Sequence, residues 1–178
     1  RELAQQDVLS WFRSEVDYIA EEPGGSVFVK DTSSIGSIFN YRTTYVKAGW
    51  LLQMLRWKLG DEAFFKGVRN YLADPSTSFE FARTEDLKRN LEAASGQNLT
   101  EFFNDWLYGE GYPSYQLNWL PLGNKVQYTL SQTTSHPSVS FYEMPVPVLF
   151  KNATRDTLIV INHTQNAQTE IRELGFTP

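Results

Sequence analysis

Few side chains in this sequence could do chemistry. There is no cysteine, which removes thiol nucleophiles, cysteine–metal sites and disulfides together. Two histidines are present, His136 and His163, both beside turn residues and neither with the glutamate neighbour of a helical zinc motif. A zinc site needs several ligands converging on one point, so both are expected to be solvated loop histidines. Paired carboxylates occur at Glu21–Glu22, Asp61–Glu62 and Glu85–Asp86. The last two pairs open helical patterns, where a negative charge is stabilised by the free amides of the first turn, and capping outweighs acid–base catalysis there. Tyr45 stands at the mouth of a buried helical pattern, with Lys47 two residues on. On residue type alone its ring packs at a helix start and its hydroxyl meets water. Tyr41, four residues earlier on the same helical face, has no assigned place in any chemistry.

The elements that would position Tyr45 are legible from periodicity. Leu3, Val8, Phe12, Val16 and Ile19 recur at near-helical spacing, so the first twenty residues read as an amphipathic helix stopped by Pro23-Gly24-Gly25. Ser26 to Asn40 reads as a loop with a short strand. A second helix is expected from about Thr44 to Leu59, apolar on most of its surface and therefore buried, with Gly60 as its C-terminal cap. Asp61 should cap a third helix that presents Phe64, Phe65, Val68, Tyr71 and Leu72. Thr84 should cap a fourth, with Leu87 and Leu91 inward and Ser95-Gly96 at its end. Thr100 and Glu101 open a short fifth helix carrying Phe102, Phe103, Trp106 and Leu107. The Phe64–Phe65 and Phe102–Phe103 pairs are core residues on this reading, and Trp57 is a surface that an absent neighbour would cover.

After Pro113 the period changes. Tyr115–Trp119 and Val126–Leu130 alternate around a turn at Leu122-Gly-Asn-Lys125, and Met144–Phe150, Leu158–Ile161 and Thr169–Leu174 add short strands. Pro145 and Pro147 suit an edge strand. The predicted class is multi-domain α+β, with a helical part over 1–113 and a small antiparallel β-sandwich over 114–178. Gly175–Pro178 leaves room for a sandwich truncated before its last strand.

Composition bounds the function. The 178 residues are 41% hydrophobic, with 12 Phe, 9 Tyr and 5 Trp, enough for a core. A net charge of −5 without a Lys/Arg cluster argues against nucleic acid as a partner. No apolar run approaches the roughly 20 residues of a membrane span. The lack of cysteine leaves the compartment open and is compatible with an extracytoplasmic bacterial protein, periplasmic or secreted. The Asn-x-Thr triplets at Asn98, Asn152 and Asn162 carry meaning only in a eukaryotic secreted protein.

One ordered series goes further. Tyr45-x-Lys47 is followed by Leu55-Arg-x-x-Leu-Gly-Asp-Glu-Ala-Phe-Phe65, Arg69-Asn-Tyr-Leu72, Thr84-Glu-Asp-Leu87, Leu99-Thr-Glu-Phe-Phe-Asn-Asp-Trp106 and Gly111-Tyr-Pro113. This resembles the C-terminal half of the thermolysin-like catalytic domain of aminopeptidase N-like zinc metallopeptidases, the gluzincin aminopeptidases, with the start of their following β-sandwich. The family motif is Tyr-x-Lys-Gly; here Ala48 takes the glycine's place and Gly49 follows. The resemblance implies that Tyr45 donates its hydroxyl hydrogen to the tetrahedral oxyanion during removal of N-terminal residues from peptides. It also implies zinc in the full-length parent, held by His-Glu-x-x-His and a later glutamate. Neither lies in this chain, which is expected to hold no cofactor itself, to be inactive alone, and to self-associate through apolar surface that an upstream lobe would cover. The alternative is a metal-free binding or scaffold module related to the same family.

Overall fold

The structure is a computed structural model that describes residues 2–178, with side chains described from Ser10 onward. The backbone divides into two compact units, one running to Gly109 and one comprising Glu110–Pro178. The inward face expected for Leu3 and Val8 lies outside the described side chains.

The first unit is helical. Helix α1 spans Glu2–Ala20 and is followed by the extended Pro23-Gly24-Gly25 segment. No strand forms between Ser26 and Asn40; a single turn, α2 (Ile35–Ile38), takes its place. Short polar side chains bond their own backbone there. Asp31 accepts from the Ser33 amide at 2.9 Å and Ser34 Oγ from the Ser37 amide at 3.4 Å, which competes with strand pairing.

The expected Thr44–Leu59 helix begins earlier and in another geometry. Tyr41–Lys47 is π-helical and runs directly into α3, Ala48–Leu59. The helix is also not buried all round. Leu51, Leu55 and Leu59 are buried while Leu52 and Trp57 are exposed, so one face carries the packing within this unit. Gly60, with φ of 77°, ends α3 through its amide on the Arg56 carbonyl and also supplies the N-cap of α4, Asp61–Ala73. Asp61 therefore sits inside the first turn rather than at the cap. Its carboxylate takes a two-pronged bond from Arg56 at 2.7 and 2.9 Å, which is the main reason it titrates below the ordinary aspartate range.

Helix α5, Thr84–Ser95, is likewise capped one residue earlier than expected. The Asp86 carboxylate accepts from the Arg83 amide at 2.9 Å, and Gly96 closes the far end in the left-handed region. Helices α4 and α5 pack at close range because position 67 is glycine. A Cβ there would lie 2.8 Å from Leu91 Cδ2 and 2.9 Å from Leu91 Cα. Helix α6, Thr100–Phe103, continues as a π-helical segment, Asn104–Tyr108, and buries Phe102, Phe103, Trp106 and Leu107.

The second unit contains two antiparallel sheets. Strands β1 (Pro113–Leu122), β2 (Lys125–Thr134) and β5 (Gln168–Glu173) pair in the order β1-β2-β5, and β3 (Met144–Lys151) pairs with β4 (Asp156–His163). Along β2, Val126, Tyr128, Leu130 and Gln132 are buried in strict alternation. The apolar members join Phe150, Ile161, Leu174 and Phe176 in one core. Pro145 and Pro147 both lie on β3, opposite Asn162 and Val160.

His163 departs from expectation. It is not a solvated loop histidine but ends β4 on the inward face, 1% exposed. The inward parity of Ile159 and Ile161 continues to residue 163, so strand alternation, rather than the turn residues beside it, decides its burial.

Candidate functional site

Tyr45 projects from the π-helical turn into a groove of about 420 Å³ between that turn, α3 and α1. Its walls include Trp11, Phe12, Tyr41, Tyr45 and Trp50, with the Glu15 carboxylate at one side. Tyr41 and Tyr45 stack at 6.4 Å between centroids and 28° between planes, and Phe12 meets Trp50 edge-on at 5.4 Å. Tyr45 is 51% exposed. Its phenol is thus half covered by the aromatic wall and half open to the groove, within reach of a ligand there.

The turn that carries Tyr45 is fixed by polar anchors. Asn40 Oδ1 caps it, accepting from the Thr43 amide at 3.0 Å and the Thr43 hydroxyl at 3.1 Å. Lys47, 6% exposed, donates from Nζ to the Gly25 carbonyl at 3.1 Å. Arg42 donates to the carbonyls of Glu22 and Gly24, each at 2.8 Å, and approaches the Glu22 carboxylate at 3.3 Å. Gly25 lies against this anchor with φ of 96°, and a Cβ there would meet Thr43 Cγ2 at 2.8 Å. Both the conformation and the space call for glycine.

The other candidates have structural partners. Asp61 and Asp86 serve helix starts as described, and Glu22 pairs with Arg42. In the second unit, His163 Nε2 lies 3.1 Å from the Leu130 carbonyl and Nδ1 lies 3.1 Å from Gln132 Nε2. His136 bonds Ser138 through Nδ1 at 2.9 Å and holds Nε2 3.8 Å from the Glu110 carboxylate. Among the described residues no group of three His, Asp or Glu could hold a metal ion, so their donor set does not fit zinc. No described helix is long and apolar enough to cross a membrane.

Sequence reasoning did not find the groove, because Phe12 and Trp50 meet only once α1 folds against the π-helical turn and the start of α3. It also passed over Arg42, whose partners are backbone carbonyls about twenty residues earlier and leave no side-chain signal in the sequence.

Comparison with known proteins places this geometry in a family. Residues 6–106 match the peptidase family M1 domain. Probable aminopeptidase 1 of Saccharolobus solfataricus is 31% identical over 125 residues, covering 69% of this chain and 15% of that protein. Aminopeptidase N of Lactococcus lactis subsp. lactis is 36% identical over 85 residues, covering 48% of this chain and 10% of its own length. The solved structure of Legionella pneumophila aminopeptidase A in complex with aspartic acid superposes with a TM-score of 0.59 at 17% identity, over 80% of this chain and 16% of that one. At that identity the match shows a shared fold. The chain belongs to peptidase family M1, and it spans about a sixth or less of these relatives' lengths. The family is one of hydrolases that act on peptides, and it implies zinc in the parent protein.

Proposed function

We propose that this chain is part of a zinc aminopeptidase in which Tyr45 stabilises the tetrahedral oxyanion formed at the scissile carbonyl. The intact protein removes N-terminal residues from peptides. The helical part, residues 1–113, is the C-terminal lobe of its thermolysin-like catalytic domain, and the two sheets belong to the β-sandwich that follows. The metal and its ligands lie outside this chain.

The observation that carries this reading is the placement of Tyr45. Its ring stacks on Tyr41 on a turn capped by Asn40 and anchored through Lys47, and it lines an open groove. A donor fixed before the reaction needs no reorganisation when charge develops on the oxygen, which is why such donors accelerate the step.

Replacing Tyr45 with Phe removes only the O–H. In the full-length protein Tyr45→Phe is expected to lower kcat about 10²- to 10³-fold with little change in KM, as for loss of one oxyanion donor. Steady-state kinetics on an aminoacyl amide substrate measure this. Unchanged kcat would remove Tyr45 from the mechanism and favour the scaffold alternative.

A further inference from the structure

We infer that Arg42 is a positioning residue for Tyr45, strapping the π-helical turn to the Glu22–Gly25 segment so that the Tyr45 hydroxyl is held at one place. This rests on the oxyanion reading of Tyr45 and adds to it a residue outside the Tyr-x-Lys motif.

The geometry is specific. Two different guanidinium nitrogens of Arg42 reach two different carbonyls, Nη1 to Glu22 and Nη2 to Gly24, both at 2.8 Å. Its side chain is 14% exposed. A planar fork spanning two acceptors fixes direction as well as distance, which a single ammonium does not do. Lys47 makes a third bond to the same segment at Gly25, so the residues on either side of Tyr45 in the chain are tied to one strap. Tyr45 lies three residues after Arg42 and two before Lys47, between the two anchors.

A π-helical turn is rare and occurs mostly as a single turn set into an α-helix, often at a functional site, so its presence here calls for contacts that hold it. Thr44, within the turn, has a buried hydroxyl with no hydrogen-bond partner among the described residues. Local structure that carries such a cost is held by its surroundings rather than by itself. Gly25 completes the fit, since any side chain there would meet Thr43 Cγ2 and Arg42 Nη2 at 2.8 and 3.1 Å. Were the strap lost, the turn could tighten toward α-helical geometry, rotating Tyr45 about the helix axis and moving its hydroxyl.

The test is a double-mutant cycle in the full-length protein. Arg42→Ala is expected to lower kcat about 10- to 100-fold with KM nearly unchanged, the scale of loss that follows a misplaced catalytic group. Arg42→Lys, which keeps the charge but not the fork, should fall between. In a Tyr45→Phe background Arg42→Ala should cost nothing further, because the group it positions is already gone. Gly25→Ala should reproduce the Arg42→Ala pattern from the other side of the contact. A second readout needs no turnover. With 3-fluorotyrosine at position 45 of the metal-free protein, Arg42→Ala should shift or broaden the 19F resonance.

An equal loss in both backgrounds, or an unchanged fluorine resonance, overturns the role of Arg42 while leaving Tyr45 in place. A Tyr45→Phe variant with full activity instead removes the reading on which the inference rests.

Discussion

His163 accepts a hydrogen bond at Nδ1 from the side-chain amide of Gln132, 3.1 Å away in the interior of the second unit. The direction is fixed by the partners of the two ring nitrogens. Nε2 faces the Leu130 carbonyl at 3.1 Å and so carries a proton, while the Gln132 amide nitrogen can only donate, so Nδ1 accepts and carries none. The same Gln132 amide donates to the Tyr142 carbonyl at 3.0 Å and accepts from the Tyr142 amide at 2.9 Å. These bonds match the neutral imidazole.

This makes stability depend on pH in a defined window. Burial pushes the His163 pKa below its ordinary value of 6.5. The unfolded chain therefore takes up a proton at a pH where the folded one refuses it. The contribution of His163 is fully present above about pH 6.5 and is lost as pH falls below it, with a limiting slope of about 1.4 kcal/mol per pH unit. Unfolding at pH 6 should be accompanied by net proton uptake, measurable by calorimetry in buffers of different ionisation enthalpy. The uptake should shrink in a His163→Gln variant. An unchanged uptake would place the titrating group elsewhere.

Gln132 should matter more than an exposed amide would. Gln132→Leu strands the Tyr142 amide and carbonyl and His163 Nδ1 together, and unsatisfied buried groups cost about 1–3 kcal/mol each. The expected loss is about 3 kcal/mol in denaturant unfolding of the second unit. A loss below about 1 kcal/mol, the value of one ordinary hydrogen bond, would mean that water replaces the amide.

Gly67 sets the approach of α4 to α5. Gly67→Ala raises helix propensity by about 1 kcal/mol but drives a methyl into Leu91. Overpacking costs about 1–3 kcal/mol, so the net effect should be neutral to destabilising, whereas alanine at an open helical glycine such as Gly49 should stabilise. Melting temperatures of the two variants in one background give the comparison. A stabilising Gly67→Ala would show that the helices can part without cost.

Much of the architecture was readable because it follows from short-range rules. Gly60 and Gly96 end helices where their backbone freedom is needed, and the alternation of Val126, Tyr128 and Leu130 sets the inward face of β2. What escaped depended on contacts distant in sequence or on unusual hydrogen bonding. Nothing in the periodicity of Tyr41–Lys47 separates a π-helical from an α-helical turn, since both place Tyr41 and Tyr45 on one side. The groove needed α1 against the π-helical turn and the start of α3, and the strap needed Arg42 to reach back about twenty residues to Glu22 and Gly24. Tyr45 itself was found from the ordered motifs, and its neighbours Trp11 and Trp50 only from the fold.

The two prolines of β3 have a consequence for how this unit meets other polypeptides. Proline has no amide hydrogen, and Pro145 and Pro147, two residues apart, remove two donors from the same side of the strand. Since a proline nitrogen cannot serve the ladder with β4, the missing donors fall on the outer margin. A stray strand arriving there finds a broken row of partners, while one arriving beside β4 finds its donors present, with the Asn162 carbonyl already taken by the Gln168 side chain at 3.1 Å. Templated growth of misfolded chains is thereby hindered on the β3 flank. Pro145→Thr with Pro147→Thr should open that flank and shorten the lag of light scattering on heating, and an unaltered lag would show that β3 is guarded by other means.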